Sequence, residues 1–400
     1  MARRWPTGDG MGMETHDAVI RSQADIVGAI PHILGYEPED SLVLAAVVGT
    51  TGRSRLGPVM RLDMDFVQAD RIRGRDYGRI VELLESGPDI VEVIPVLFSE
   101  DVARAYGGDD GPLESPRLFA HFARPIQGLC DELVRSGYEV YSPLWVGAEH
   151  IGSLLPPGIL QTRQAARSST AATEMIVRGS QAGRTFDDVV ALPPPDPDLL
   201  EDLAHWRAVR PEPPELLEAL VAQLGRLATA LAKGGEVREP TGFVSAQVVL
   251  AVEWMVSTKV TRDGLEMLLC LDHPDLPVQE LVGLDGVELL ARGLPVFASH
   301  TAAAHLPGLS ARKPDAVRLS AAVEILRTVL VHCRESAVPR VLGVIAWFEW
   351  ARGAGSFADH YAALALRADP GESLARLVST AVQAGLSPCW MSPGKWNRRI

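Results

Sequence analysis

The densest grouping of side chains able to do chemistry lies between Val59 and Phe66, where Arg61, Asp63 and Asp65 alternate with Met60, Leu62, Met64 and Phe66. In an extended chain alternate residues share a face, so an arginine and two aspartates would project from one side of a strand. Carboxylates gathered in that way hold a hard divalent cation, and Asp40, at the head of the neighbouring apolar run, adds a further oxygen ligand. On this reading Asp63 and Asp65 are the metal ligands, and Asp40, Ser41, Arg61 and Asp63 form a ligand site. The chemistry would be metal-assisted hydrolysis or the handling of a nucleotide, carried by Asp40, Asp63 and Asp65. A solvated antiparallel face with an Arg61–Asp63 ion pair has the same pattern and no site.

Other catalytic patterns are incomplete. Ser41 leads into a strand rather than a glycine-flanked strand-to-helix turn, so it reads as a turn cap and not a nucleophile elbow. His300 and His305 are five apart, off the i, i+4 spacing of a helical metal pair. His332, between Val331 and Cys333, reads as a buried, hydrogen-bonded histidine, and none of the ten histidines has a sequence-local partner that would make it a base. The glycine-rich run 107–111 contains two aspartates and no following lysine, so it is a loop rather than a phosphate cradle. No cofactor is evident. Cys130, Cys270, Cys333 and Cys389 are far apart and without a C-x-x-C pair, as expected of reduced thiols.

The elements that would position these residues fall into two parts. A chain of 400 residues exceeds what one core usually supports, so two domains are expected. Residues 1–17 lack periodicity and are expected to be disordered, with Met11 or Met13 as alternative starts to Met1. The segment 18–192 is expected to be an α/β domain, a mixed sheet with flanking helices. Ser22 and Asp25 open an amphipathic helix bent at Pro31, which ends at Gly35. Leu42 to Val48 is a central strand, hairpinned through Thr51-Gly52 to Val59–Phe66. A helix from Ala69 to Glu85 and a strand from Ile90 to Phe98 follow, with Pro95 at an edge or bulge. The helix from Ser115 to Arg135 turns Leu118, Phe119, Phe122, Ile126, Leu129 and Leu133 inward, and Tyr138 to Val146 is the last strand.

The run 193–198 is a proline-rich linker, and 199–400 is expected to be all-helical, since only helical periodicity recurs there. Near 340–385, Gly353, Ala358, Ala365 and Pro370 have the small-residue steps of a tetratricopeptide hairpin. Glu349 replaces its tyrosine and no second copy follows, so an ordinary helical hairpin is the alternative. Trp347, Phe348, Trp350, Trp390 and Trp396 suit core or interface packing.

The net charge of −13 would repel a phosphate backbone, so nucleic acid is disfavoured as a partner despite the basic tail of Lys395, Arg398 and Arg399. No apolar run approaches the roughly 20 residues of a membrane span, and the N-terminus lacks the apolar stretch of a secretory signal. A cytoplasmic protein is expected.

The run from Ala29 to Val43, Ala-Ile-Pro-His-Ile-Leu-Gly-Tyr-Glu-Pro-Glu-Asp-Ser-Leu-Val, resembles the opening signature of a bacterial family known as domain of unknown function 4192. Arg61-Leu62-Asp63, Ser169 to Leu192, Ala346-Trp347 through Ala365, Asp369-Pro370, Ser373-Leu374 and Ala384-Gly385-Leu386 are similar to its later landmarks. Tyr141 to Trp145 departs from the family's Trp-rich strand ending, which weakens any site built there. The resemblance implies a bacterial cytoplasmic protein and brings no assigned activity. Two function classes remain: a non-enzymatic binding protein whose helical part docks a protein partner beside an α/β scaffold or small-ligand sensor, and the metal-assisted enzyme described above.

Overall fold

The structure is a computed structural model that describes residues 20, 22–50, 53–63, 74–86, 90–107, 113–178, 180, 183–232, 240–270, 272–273, 275–299, 308–309 and 313–391. The expectations for residues 1–17, for the Thr51-Gly52 loop, for His300 and His305 and for the basic tail lie outside these residues. The chain divides into two compact units, Met1–Ala191 and Leu192–Ile400.

The first unit is α/β. Helix α1 (Gln23–Leu34) precedes the hairpin β1 (Ser41–Thr50) and β2 (Arg53–Asp63). Then come α2 (Gly74–Ser86), β3 (Ile90–Phe98), α3 (Glu100–Tyr106), α4 (Pro116–Arg135), β4 (Glu139–Val140), β5 (Leu144–Val146), β6 (His150–Leu154) and β7 (Pro157–Thr162). Three short helices close the unit, α5 (Arg163–Arg167), α6 (Thr170–Val177) and α7 (Phe186–Val190). The sheet runs β2-β1-β3-β5-β6-β7, with β4 paired to β3. Strand β3 is antiparallel to β1 and parallel to β4 and β5, so the sheet is mixed.

Strand alternation sorts the core into two layers. Leu42, Leu44, Val93, Leu97 and Trp145 pack with α2, α3 and α4 on one face. Val43, Ala45, Val96, Phe98 and Val146 pack with α1, α5 and α6 on the other. Each such side chain removed from water contributes roughly 1.5–3 kcal/mol, which is why β1 carries apolar residues at successive positions.

Several expectations are corrected. Helix α1 is not amphipathic: Ala24 through His32 are all buried, because sheet and helices enclose it. Leu118 is 37% exposed and lies on the outer face of α4, while the other five inward residues are buried. The expected strand from Tyr138 to Val146 breaks into β4 and β5. Two residues separate Val93 from Val96, but three separate their partners Val140 and Leu144, so Pro95 lies in a central strand opposite an irregularity between β4 and β5. Helix α3 and the β6–β7 hairpin were not expected from the sequence pattern.

The second unit is helical apart from a two-stranded hairpin, β8 (Asp272–His273) with β9 (Leu276–Pro277). Its helices are α8 (Pro197–Val209), α9 (Pro213–Ala232), α10 (Ala246–Met255), α11 (Lys259–Leu269), α12 (Val278–Leu281), α13 (Gly286–Phe297), α14 (Ala316–His332), α15 (Val338–Ala351), α16 (Gly355–Ala368) and α17 (Ser373–Gln383). The stretch Val278–Ala291, whose periodicity by itself fits one helix, is split after Leu281, where Gly283 takes φ 91°, a left-handed geometry that ends helices. Helix α15 is buried continuously from Val341 to Ala351, the all-round apolar character of a helix at a core centre. Ala358, Ala362 and Ala365 are fully buried on α16, where small side chains allow close helix packing. Trp390 donates to the Ala351 carbonyl at 2.9 Å and Trp350 to Leu386 at 2.7 Å, so these tryptophans are core and not a stacking surface. No described helix is long and apolar enough to cross a membrane.

Candidate ligand-binding cleft

A cleft of about 180 Å³ opens on the α1 side of the sheet. Helix α1 supplies His32 and Pro31, the turn after it Glu37, β3 Phe98, and α5 Arg163 and Arg167. The start of α1 is set by Ser22, whose hydroxyl accepts the Asp25 N–H at 3.2 Å. Buried Asp25 then accepts the Ala171 N–H at 3.2 Å, which fixes the first turn of α6 against the first turn of α1. Gly28 allows the closest approach: a Cβ there would lie 2.3 Å from the Ala166 carbonyl oxygen and 2.7 Å from Ser169 Oγ. The turn that carries Glu37 is held by Tyr36, edge-on to Phe186 with centroids 5.1 Å apart, and by the Glu37 N–H donating to the Arg184 carbonyl at 2.8 Å.

The cleft's polar groups are mostly committed to one another. Arg163 donates from Nη2 to Glu37 Oε2 at 3.0 Å and from Nη1 to the Gly147 carbonyl at 3.1 Å. Arg167 Nη2 lies 3.5 Å from Glu37 Oε1, and its side chain is 54% exposed, against 15% for Arg163 and 11% for Glu37. His32 Nδ1 is 3.0 Å from Ser180 Oγ. Burial pushes the His32 imidazole below its ordinary pKa, with Glu37 opposing in part, so the ring is neutral near pH 7. Two guanidinium groups against one carboxylate leave the cleft with one surplus positive charge.

A serine beside a histidine invites comparison with a nucleophile and its base, which also needs a third group to orient the imidazole. Glu37 is the carboxylate that His32 senses, yet its oxygens face Arg163 and Arg167. The arrangement is suited to holding a ligand rather than activating Ser180.

Of the residues singled out from the sequence, Asp40, Ser41 and Arg61 do not line this cleft. Register pairs Ser41 with Asp63 and Val43 with Arg61, so Ser41 and half-buried Arg61 are neighbours on the α1 face of the sheet. That face is covered by helix rather than open to solvent. On its other side Ser41 pairs with Phe98, a wall of the cleft. Ser41 is fully buried and its Oγ has no hydrogen-bond partner. Asp40 is exposed at the head of β1 with φ 38°, a left-handed geometry that aspartate tolerates. Asp65 and the side chain of Asp63 lie outside the described residues. Among the described residues no group of three or more His, Cys, Asp or Glu could hold a metal ion.

Sequence reasoning passed over His32, Glu37, Arg163 and Arg167. A local signal did exist, for Arg163 and Arg167 are four apart after Thr162, whose hydroxyl accepts the Ala165 N–H. Two arginines at that spacing share one helical face. Nothing local ties them to Glu37, 126 residues earlier.

A second polar cluster belongs to the helical unit. Glu266 on α11 is fully buried, and neither carboxyl oxygen makes a hydrogen bond. Arg262 Nε is 3.8 Å away, but this arginine donates at 2.8 Å to Asp263 and lies 3.9 Å from Glu372. Burial raises the Glu266 carboxyl well above its usual range, Arg262 offsets part of this, and Asp263 and Glu372 add to it. Glu372 accepts the Ala375 N–H at 2.5 Å and so caps α17. His332 is the buried, bonded histidine expected: Nε2 accepts the Asp196 N–H at 2.8 Å and Nδ1 donates to the Thr328 carbonyl at 2.7 Å. It ties the start of α8 to the end of α14. All four cysteines are free, and burial pushes the thiols of Cys130 and Cys333 up to about 12.

Comparison with curated proteins and with solved structures gives no match. One family model, described as Domain of unknown function (DUF4192), matches residues 24–281 and 314–389. The matched residues include His32, Glu37, Arg163 and Arg167 as well as Glu266 and Glu372, and they run through both units. The chain is therefore a member of the family described as Domain of unknown function (DUF4192).

Proposed function

We infer that this protein is a non-enzymatic binding protein whose ligand site is the cleft between α1 and α5. The observation that carries this is the double engagement of Glu37 by Arg163 and Arg167, which leaves the His32–Ser180 pair without an orienting acid. The helical unit then serves to dock a protein partner; α15 of the tetratricopeptide-like hairpin is enclosed, so the surface offered is the exposed Leu377 face of α17. The free, mostly buried cysteines suit a reducing compartment, in keeping with a bacterial cytoplasmic location. The test is a serine-directed fluorophosphonate: intact-mass measurement should find no adduct at Ser180. Labelling of Ser180 that disappears in His32→Ala would replace this reading with a hydrolase.

A second reading keeps the metal-assisted enzyme of Asp40, Asp63 and Asp65, favoured by the buried, unpartnered Ser41 hydroxyl beside position 63. A melting temperature unmoved by millimolar Mg²⁺ or Mn²⁺ would remove it.

A further inference from the structure

We propose that the cleft takes a small organic oxyanion, a carboxylate or phosphate carried on a short apolar body, with Arg167 as its counter-ion; this rests on the reading of the cleft as a ligand site. Arg163 and Arg167 differ in what they have left to give. Arg163 is almost enclosed and already bonds Glu37 and the Gly147 carbonyl, so it is part of the wall. Arg167 is more than half exposed and reaches Glu37 only at 3.5 Å, beyond a good hydrogen bond, so its fork remains available. The Glu37 charge is cancelled by Arg163, and the surplus positive charge resides on Arg167.

The rest of the cleft selects size and character. Val27, Pro31, Phe98, Ala166 and Ile176 make the walls apolar, which suits a hydrocarbon body and excludes a highly hydrated ion of the same charge. The volume of about 180 Å³ corresponds to roughly six water-sized groups at ~30 Å³ each, well below a drug-sized pocket. A neutral, buried His32 ring in the wall neither repels a cation nor attracts a second anionic charge. A single acidic head on a chain of a few carbons fits these terms.

The test uses the full chain with butyrate, butyl phosphate, butyramide and butylamine, followed by calorimetry and by the His32 imidazole resonances. Butyrate or butyl phosphate should bind and shift the His32 ring, and the tighter of the two, on the same four-carbon body, identifies the head group. Butyramide and butylamine should bind at least about tenfold more weakly, the factor expected for loss of one charge-assisted contact. Arg167→Ala should weaken oxyanion binding about tenfold, and Arg167→Lys should recover part of it. Equal binding of butyramide and butyrate, or oxyanion binding unchanged in Arg167→Ala, overturns the oxyanion assignment while leaving the cleft as a ligand site. No shift of His32 with any of the four compounds at tens of millimolar overturns the ligand site itself.

Discussion

In the α/β unit the Glu37 carboxylate has a guanidinium within reach of each oxygen, whereas in the helical unit Glu266 has one arginine nearby and no hydrogen bond to either oxygen. Both groups combine glutamate with arginine, so residue type does not separate them. Donors and water do. Arg163 and Arg167 offer Glu37 converging N–H groups at the edge of a cleft, while Arg262 gives its best hydrogen bond to Asp263, and Glu266 is left fully enclosed. A carboxyl in that position is cheaper to keep protonated than to ionise. The first cluster thus keeps an exposed guanidinium at the edge of a cleft, and the second is sealed inside the helical unit.

Four substitutions would break or sharpen this contrast. The largest effect is expected from Glu37→Ala, which strands the enclosed Arg163 and should cost about 3 kcal/mol of stability, as for other buried pairs deprived of one partner. A denaturant midpoint unchanged in that variant would mean that Arg163 finds its solvation elsewhere, and the cleft would lose its structural basis. Next comes Gly28→Ala, whose new methyl would meet the Ala166 carbonyl and force α1 away from α5. A loss of about 1–3 kcal/mol is expected from such overpacking, and with it weaker binding in the cleft. If calorimetry finds binding intact in this variant, the cleft does not depend on that helix contact.

Glu266→Gln should act in the opposite direction. With the Glu266 carboxyl raised well above its ordinary 4.5, the folded state binds more protons than the unfolded state between those two values. Its contribution is therefore full below pH 4.5 and is lost as the pH rises through the folded pKa. The glutamine variant should lack this decline and exceed the native chain by about 1 kcal/mol at pH 8. Parallel melting curves for the two proteins from pH 5 to pH 9 would show that Glu266 finds a partner when it ionises. The smallest effect belongs to Arg167→Ala, whose exposed pair with Glu37 is worth under about 0.5 kcal/mol. A large loss of stability there would make Arg167 structural and remove the distinction between the two cleft arginines.

The legibility of the molecule follows the range of the forces involved. Ser22 and Asp315 each accept an N–H from a residue three positions on, so these helix starts could be read from a few neighbouring letters, whereas the same capping by Asp285 lies inside a stretch whose periodicity continues through it. The unbroken apolar run of β1 announced a strand covered on both faces, and helices cover both. Leu118 shows the limit, for its period places it near the inward face of α4 but only the packed sheet decides where that face ends. The strands β4 to β7 are two to six residues long, too short for alternation to register.

The site divides in the same way. Alternation drew attention to Arg61 and Asp63, because a period of two is visible in one strand, and the register does set Ser41 beside position 63. The cleft joins His32 and Glu37 to Arg163 and Arg167, and no local period connects them. The sequence by itself determined the helix, hairpin, helix and strand that open the α/β unit, the two units' secondary-structure classes and the family signature, since propensity, capping and hydrophobic period act within a few residues. Tertiary structure alone decided which glutamate has a guanidinium at each oxygen and which cleft arginine is the more exposed, since desolvation and ion pairing depend on neighbours that only the packing of α1 against α5, or the approach of Arg262 to Glu372, brings within reach.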